Sequence, residues 1–151
     1  MDRNRVQFNF TIGENKKTLT IFTPTYNRAD FLPAIYQDLC NQTSKDFIWM
    51  VIDDRSTDET EHLVQKMIQE GKITIEYVKK KNGEKYTAHN VAVKRCKTKL
   101  IFIALDSDDR LKHNAVEKII FDWNTVKDND VVGMVYMCED PNGCVKILME
   151  N

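Results

Sequence analysis

Short apolar runs alternate with segments of helical periodicity along almost the whole chain, and this alternation limits the folds open to it. "TLTIFT" (18–23), "FIWMVID" (47–53), "ITIEYV" (73–78), "LIFIAL" (100–105) and "DVVGMVYM" (130–137) read as five strands. The second and fourth are almost unbroken apolar runs, as a strand covered on both faces requires. Between the strands, Phe31, Leu32, Ile35, Tyr36 and Leu39 fall on one helical face, with Pro33 tolerated in the first turn. Ser56 and Glu59 fit a capping box for a helix that turns Leu63, Val64, Met67 and Ile68 inward and ends near Gly71. A third helix starts at about Thr87 and buries Ala88, Val91, Ala92 and Cys96. A fourth carries Ala115, Val116, Ile119, Ile120 and Trp123. Such alternation predicts an α/β fold with a mostly parallel, doubly wound sheet flanked by helices.

Ligands of such sheets bind beyond the carboxyl ends of the strands, at a switch in strand order. The polar clusters fall at those ends: "PTYNR" after the first strand, "DDRST" after the second, "NGEK" in the loop after the third and "DSDD" after the fourth. The strand-like "VQFNFTI" (6–12) lies outside the scheme and reads as an extra strand or an adhesive tail.

"DSDD" puts Asp106, Asp108 and Asp109 at the end of a buried strand. Two carboxylates about 5 Å apart repel by roughly 3 kcal/mol at an effective dielectric near 20. Asp109 could cap a helix starting near Leu111, which leaves Asp106 and Asp108 without a role. Arg110 is adjacent, and neighbours on an extended chain point apart. A hard divalent cation relieves the repulsion directly and keeps positions open for phosphate oxygens. On extended backbone, Asp106 and Asp108 would leave the strand on the same face. The competing reading is a plain polar turn.

In "DDRST", Ser56, Asp58 and Glu59 are explained by a helix start. Asp53 and Asp54 precede it, and a carboxylate there can accept from a base N–H or from ribose hydroxyls. Tyr26 can stack on a base or pack at a loop. Lys85 can meet a phosphate or sit in solvent. The three histidines read as packed (His89) or exposed (His62, His113) helix residues.

A net charge of −1 gives no electrostatic case for nucleic acid as a partner. With 30% charged and 42% hydrophobic residues, the chain reads as soluble and globular. No run is long enough for a membrane span, and "KKK" (79–81) reads as a solvated loop. Cys40, Cys96, Cys138 and Cys144 lack metal-finger spacing and read as reduced thiols. The expected location is the cytoplasm, including the inner face of a membrane.

"LTIFTPTYNRADFLPAIYQDLCNQTSKDFIWMVIDDRSTDET", followed by Ala88, Asn90 and "LDSDD", resembles the family 2 glycosyltransferases of GT-A fold over about residues 18–125. The motifs "PTYNR", "NQT…DF", "DDRSTD" and "LDSDD" stand in the family's order. The resemblance implies a nucleotide-sugar-binding domain over 18–151, preceded by an extension over 1–17. It implies inverting transfer from a nucleotide-diphosphate sugar, UDP-linked above all, to a glycan or lipid-linked acceptor. Pro24 and Tyr26 would lie at the base, and Asp54 with Asp53 at base or ribose. Asp106 would complete the nucleotide site, to which the residues alone add Lys85 as a candidate phosphate contact. Asp106 would face the ribose or the metal's water shell, Asp108 would ligate Mn²⁺ or Mg²⁺, and Asp109 stands as a substitute ligand. Arg55 occupies a position where the family often has glycine.

The family's catalytic base lies well beyond the metal motif, and Glu139 and Asp140 read as a turn before Gly143, so no base is assigned. The expectation is a donor-binding half of a longer enzyme, which leaves a non-catalytic nucleotide-sugar-binding module as the rival reading. A receiver domain would need acids after the first strand, and a nucleotidyltransferase a glycine-rich loop there; "PTYNRAD" has neither. Apolar residues at both ends, Val6 to Ile12 and Val145 with Ile147 to Met149, predict self-association through one or both termini, as a homodimer or by strand exchange; the alternative is a hairpin turning at Pro141 to Gly143 that buries the C-terminal set within one chain.

Overall fold

A computed structural model describes residues 17–81, 83, 85–102, 105–127, 133–136, 138–139 and 145–146. The segment 6–12 and the residues after 146 lie outside the described residues, as does Asp140. The elements run β1 (Leu19–Thr25), α1 (Leu32–Cys40), β2 (Phe47–Asp53), α2 (Thr60–Glu70), β3 (Ile75–Lys79), α3 (Lys85–Arg95), β4 (Leu100–Phe102), α4 (Ala115–Val126), β5 (Cys138–Glu139) and β6 (Val145–Lys146). The first four strands form one parallel sheet in the order β3-β2-β1-β4.

Period-two alternation sends the two sets of strand side chains into two cores. Leu19, Ile21, Phe47, Trp49 and Val51 pack with α1, α2 and α4 through Leu32, Ile35, Leu39, Val64, Met67, Val116 and Ile119. Phe22, Met50, Ile52 and Val78 pack on the opposite side with Ala88 and Ala92 of α3. His89 joins this second core, its ring edge-on to Phe22 at 5.0 Å. The chain therefore builds outward from β1 to β3 and crosses back over the other face to β4. The switch in strand order falls between β1 and β4, the point beyond whose strand ends ligands of such sheets bind.

Several local expectations are corrected. β1 continues through Pro24 to Thr25, in register with Ile52 and Asp53. Carbonyls of Thr18 and Phe22 accept from Leu100 and Leu105, so even-numbered residues face β4. The Pro24 nitrogen faces that side too, away from β2, so the β1–β2 ladder keeps its register through Pro24. Phe31 lies outside α1 and is 41% exposed. The Arg28 guanidinium stands 5.0 Å over its ring. α3 begins at Lys85, two residues earlier than its apolar pattern indicates. Of the strand expected over 130–137, the described residues Gly133 to Tyr136 form no strand, and beyond them β5 pairs antiparallel with β6.

Candidate functional site

The loop between β2 and α2 is built around a buried carboxylate. Asp53 is fully buried, and an unpaired charge there would be very costly. Its Oδ1 accepts from the Ser56 backbone N–H at 2.7 Å and from Ser56 Oγ at 2.6 Å. Its Oδ2 accepts from the Tyr77 hydroxyl of β3 at 2.5 Å. Burial, with the Asp53 carboxylate second, raises the Tyr77 pKa and holds the phenol protonated. Ser56 Oγ in turn accepts from the Asn27 N–H at 2.9 Å, and Asn27 Oδ1 accepts from the Thr57 N–H at 2.8 Å. The ends of β1, β2 and β3 are thus tied into one edge.

Ser56 is therefore not a helix cap. α2 starts at Thr60, and the Asp58 carboxylate accepts from the Thr60 N–H at 3.1 Å and the Ala29 N–H at 3.1 Å. Turning the chain between Asp54 and Ser56 puts Arg55 at φ +65°, and Asn27 sits at φ +51°. Both are left-handed conformations, natural for glycine and tolerable for asparagine. That conformation supplies the reason for glycine at the Arg55 position.

Both Asp53 oxygens have protein donors, so Asp53 pins the edge, while Asp54 next to it is partly exposed. Asp54 Oδ1 accepts from the Gly83 N–H at 2.9 Å and pairs with Lys80 Nζ. Lys80 also donates to the carbonyls of Lys81 at 3.0 Å and Gly83 at 3.1 Å. The middle lysine of "KKK" is therefore a largely covered tether between the second and third loops, not a solvated charge: its side chain is 11% exposed. Tyr26 is 49% exposed on the first loop, just past partly buried Pro24. Lys85 is the first residue of α3.

Beyond β4 the backbone does not stay extended. The Asp109 N–H donates to the Asp106 carbonyl at 3.0 Å, closing a turn. Alternation therefore does not set the aspartate directions. Ser107 is buried, Asp106 is partly exposed, and Asp108 and Asp109 are exposed. Asp109 caps no helix, because α4 starts at Ala115. Arg110 reaches α1, its Nε and Nη2 each 2.6 Å from the Asp38 carboxylate. Among the described residues, no group of three or more His, Cys, Asp or Glu side chains could hold a metal ion. A hard cation that also takes phosphate oxygens needs only one or two protein carboxylates, and Asp106 and Asp108 fit that donor chemistry.

Sequence patterns pointed to Asp53, Asp54, Tyr26 and the acidic turn, but not to Asn27, Tyr77, Lys80 or Asp38. Asn27 carries a local signal, since asparagine follows Tyr26 where a left-handed residue is needed. Tyr77 and Asp38 act across 24 and 72 residues, beyond any local pattern.

The family model described as glycosyl transferase family 2 matches residues 20–145. The poly(ribitol-phosphate) beta-N-acetylglucosaminyltransferase TarP of Staphylococcus aureus (strain N315) is 31% identical over 116 residues, covering 76% of this chain and 34% of that protein. Chondroitin synthase of Escherichia coli is 32% identical over 99 residues, covering 66% of this chain and 14% of the relative. Among solved structures, S. aureus TarS 1-349 in complex with UDP superposes with a TM-score of 0.64 at 23% identity, over 72% of this chain and 32% of that one. The mannosyltransferase PcManGT from Pyrobaculum calidifontis, in complex with GDP-Man and Mn2+, gives 0.69 at 19% identity, over 85% and 37%. These likenesses establish the GT-A type of fold.

Proposed function

This chain belongs to glycosyl transferase family 2, and from that premise we propose that its sheet edge binds a nucleotide-diphosphate sugar, UDP-linked, for inverting transfer to a glycan or lipid-linked acceptor. The observation that supports the reading is the edge itself. The ends of β1, β2 and β3 are tied by the Asp53–Ser56–Asn27 and Asp53–Tyr77 bonds, beside an acidic turn at the switch in strand order.

In this reading Tyr26 and Pro24 form the base platform. The partly exposed Asp54 accepts from the base or ribose, with Lys80 holding it in place. Lys85 meets the diphosphate from the start of α3, where a helix N-terminus adds favourable potential. Asp106 and Asp108, with Asp109 as substitute, would hold Mn²⁺ or Mg²⁺. When bound, the cation offsets the charge of the diphosphate leaving group. Asp53 does not touch the donor in this scheme; it positions Asp54.

Inversion needs a general base within reach of the acceptor hydroxyl. Glu139 lies in β5 opposite Val145, and no acid of this chain is assigned that role. The chain spans 34% of TarP and 14% of chondroitin synthase, so the proposed unit is the donor-binding part of the reaction. The proposed place of action is the cytoplasm, at the inner face of a membrane when the acceptor is lipid-linked; no described helix is long and apolar enough to cross one.

Equilibrium binding of UDP, GDP and uridine in Mn²⁺ tests the proposal, together with turnover of UDP-N-acetylglucosamine. UDP is expected to bind more tightly than either comparator, with slow donor hydrolysis and no robust transfer. Equal binding of all three would remove the donor reading, and robust transfer would make Glu139 or Asp140 a catalytic base.

A further inference from the structure

The segment that follows the acidic turn is fastened to the end of α1 by side chains that the donor reading leaves without a role. Asp38 Oδ2 accepts from the Leu111 N–H at 3.1 Å as well as from Arg110. Gln42 is 3% exposed, and its Nε2 donates to the Lys112 carbonyl at 2.8 Å and the Asp38 carbonyl at 3.2 Å. Its Oε1 accepts from the Val116 N–H at 3.0 Å. Asn114 precedes α4 without a side-chain cap bond, so Gln42 satisfies that helix start from another element. Thr43 completes the seam: its N–H donates to the His113 carbonyl at 2.9 Å and its Oγ1 to Glu117 at 2.8 Å.

At its other end the turn is equally fixed. Leu105 is buried, and its N–H donates to the Phe22 carbonyl at 3.2 Å. Residues 106–109 are thus a short span held between β1 and α1. A bare β-turn of exposed acids would sample many arrangements. Fixing both ends lowers the entropy lost when its carboxylates close on a ligand.

We infer that Asp38 and Gln42 are positioning residues for the acidic turn, setting its affinity for a divalent cation and diphosphate without touching either. The inference rests on the proposed reading of that turn as the metal and diphosphate end of the donor site. The physical basis is that ligand supports outside the coordination sphere govern how well the ligands are placed.

The test is titration calorimetry of the 151-residue chain with UDP in Mn²⁺, UDP in EDTA, and uridine. The variants are Asp38→Asn, Gln42→Ala and Asp106→Asn/Asp108→Asn. Asp38→Asn keeps the shape of the side chain, so it provides a folded variant even where Gln42→Ala is destabilising. The expected result is that Asp38→Asn and Gln42→Ala each shrink the Mn²⁺-dependent gain in UDP affinity by about tenfold. Uridine affinity should stay at the unchanged chain's value. A full gain surviving in both variants overturns the inference alone, as does a parallel loss of uridine binding, which marks a merely structural role. Absence of any Mn²⁺-dependent gain in the unchanged chain overturns the reading of the turn, and the inference with it.

Discussion

Asp53 and Asp54 are adjacent, yet their environments assign them different tasks. One is a buried pin, the other a partly exposed acceptor at the loop. Tyr77→Phe removes the donor to Asp53 Oδ2 and leaves a buried carboxylate oxygen unpaired, at a cost of about 1–3 kcal/mol in chemical denaturation. An unchanged unfolding midpoint would show that water replaces the phenol freely. Arg55 offers the opposite change. Left-handed backbone costs a non-glycine residue about 1–2 kcal/mol. Added freedom in the unfolded chain takes back about 0.4–1 kcal/mol. Arg55→Gly should therefore raise stability by about 0.5–1 kcal/mol, with Arg55→Ala, which keeps the strain, failing to do so. The acids of the candidate site stand out in the sequence because they interrupt apolar strands. The network around them was not, because Tyr77 and Lys80 look like an ordinary strand residue and a solvated charge until the sheet brings them beside Asp53 and Asp54.

At the scale of elements, strand and helix identity followed from hydrophobic period, and the errors cluster where a local rule met a tertiary constraint. Proline predicts the end of β1, but its missing donor points away from β2, and the ladder with β2 runs on to Thr25. Ser56 matches a capping box, but the buried Asp53 competes for its hydroxyl and wins. The 133–136 stretch carries apolar residues like a strand, yet Tyr136 instead packs by α4, donating to Asp122 at 3.0 Å under Lys118. Gly71 shows a local rule holding: α2 ends there at φ +66°, as a helix closing on glycine requires. A Cβ added at Gly71 would meet nothing within 4 Å, so Gly71→Ala tests the backbone alone. It should lower stability by about 1 kcal/mol, or roughly 2–4 °C in melting temperature; a larger loss would point to contacts this open position lacks.

For the whole molecule, titration brackets the conditions under which the fold persists. Arg110 lowers the Asp38 pKa, so the stability from that pair is present above the ordinary carboxyl range and is lost as pH falls through the lowered value. Tyr77 is raised by burial and Asp53, and Tyr136 is pushed up to about 12 by burial and Asp122. Their contribution is complete below pH about 10 and is lost as pH rises beyond it. Stability should therefore be flat between about pH 5 and 9 and fall on both sides, with a shallower alkaline fall in Tyr77→Phe; a rise above pH 10 would contradict these shifts. The measurement that bears most directly on function is thermal unfolding of the chain with UDP, in Mn²⁺ and in EDTA. A metal-linked donor site predicts stabilisation of about 2.7 kcal/mol at a hundredfold excess of UDP over its Kd in Mn²⁺. Little should remain in EDTA or in Asp106→Asn/Asp108→Asn with Mn²⁺ present. Equal stabilisation with and without metal would contradict the assignment of the acidic turn.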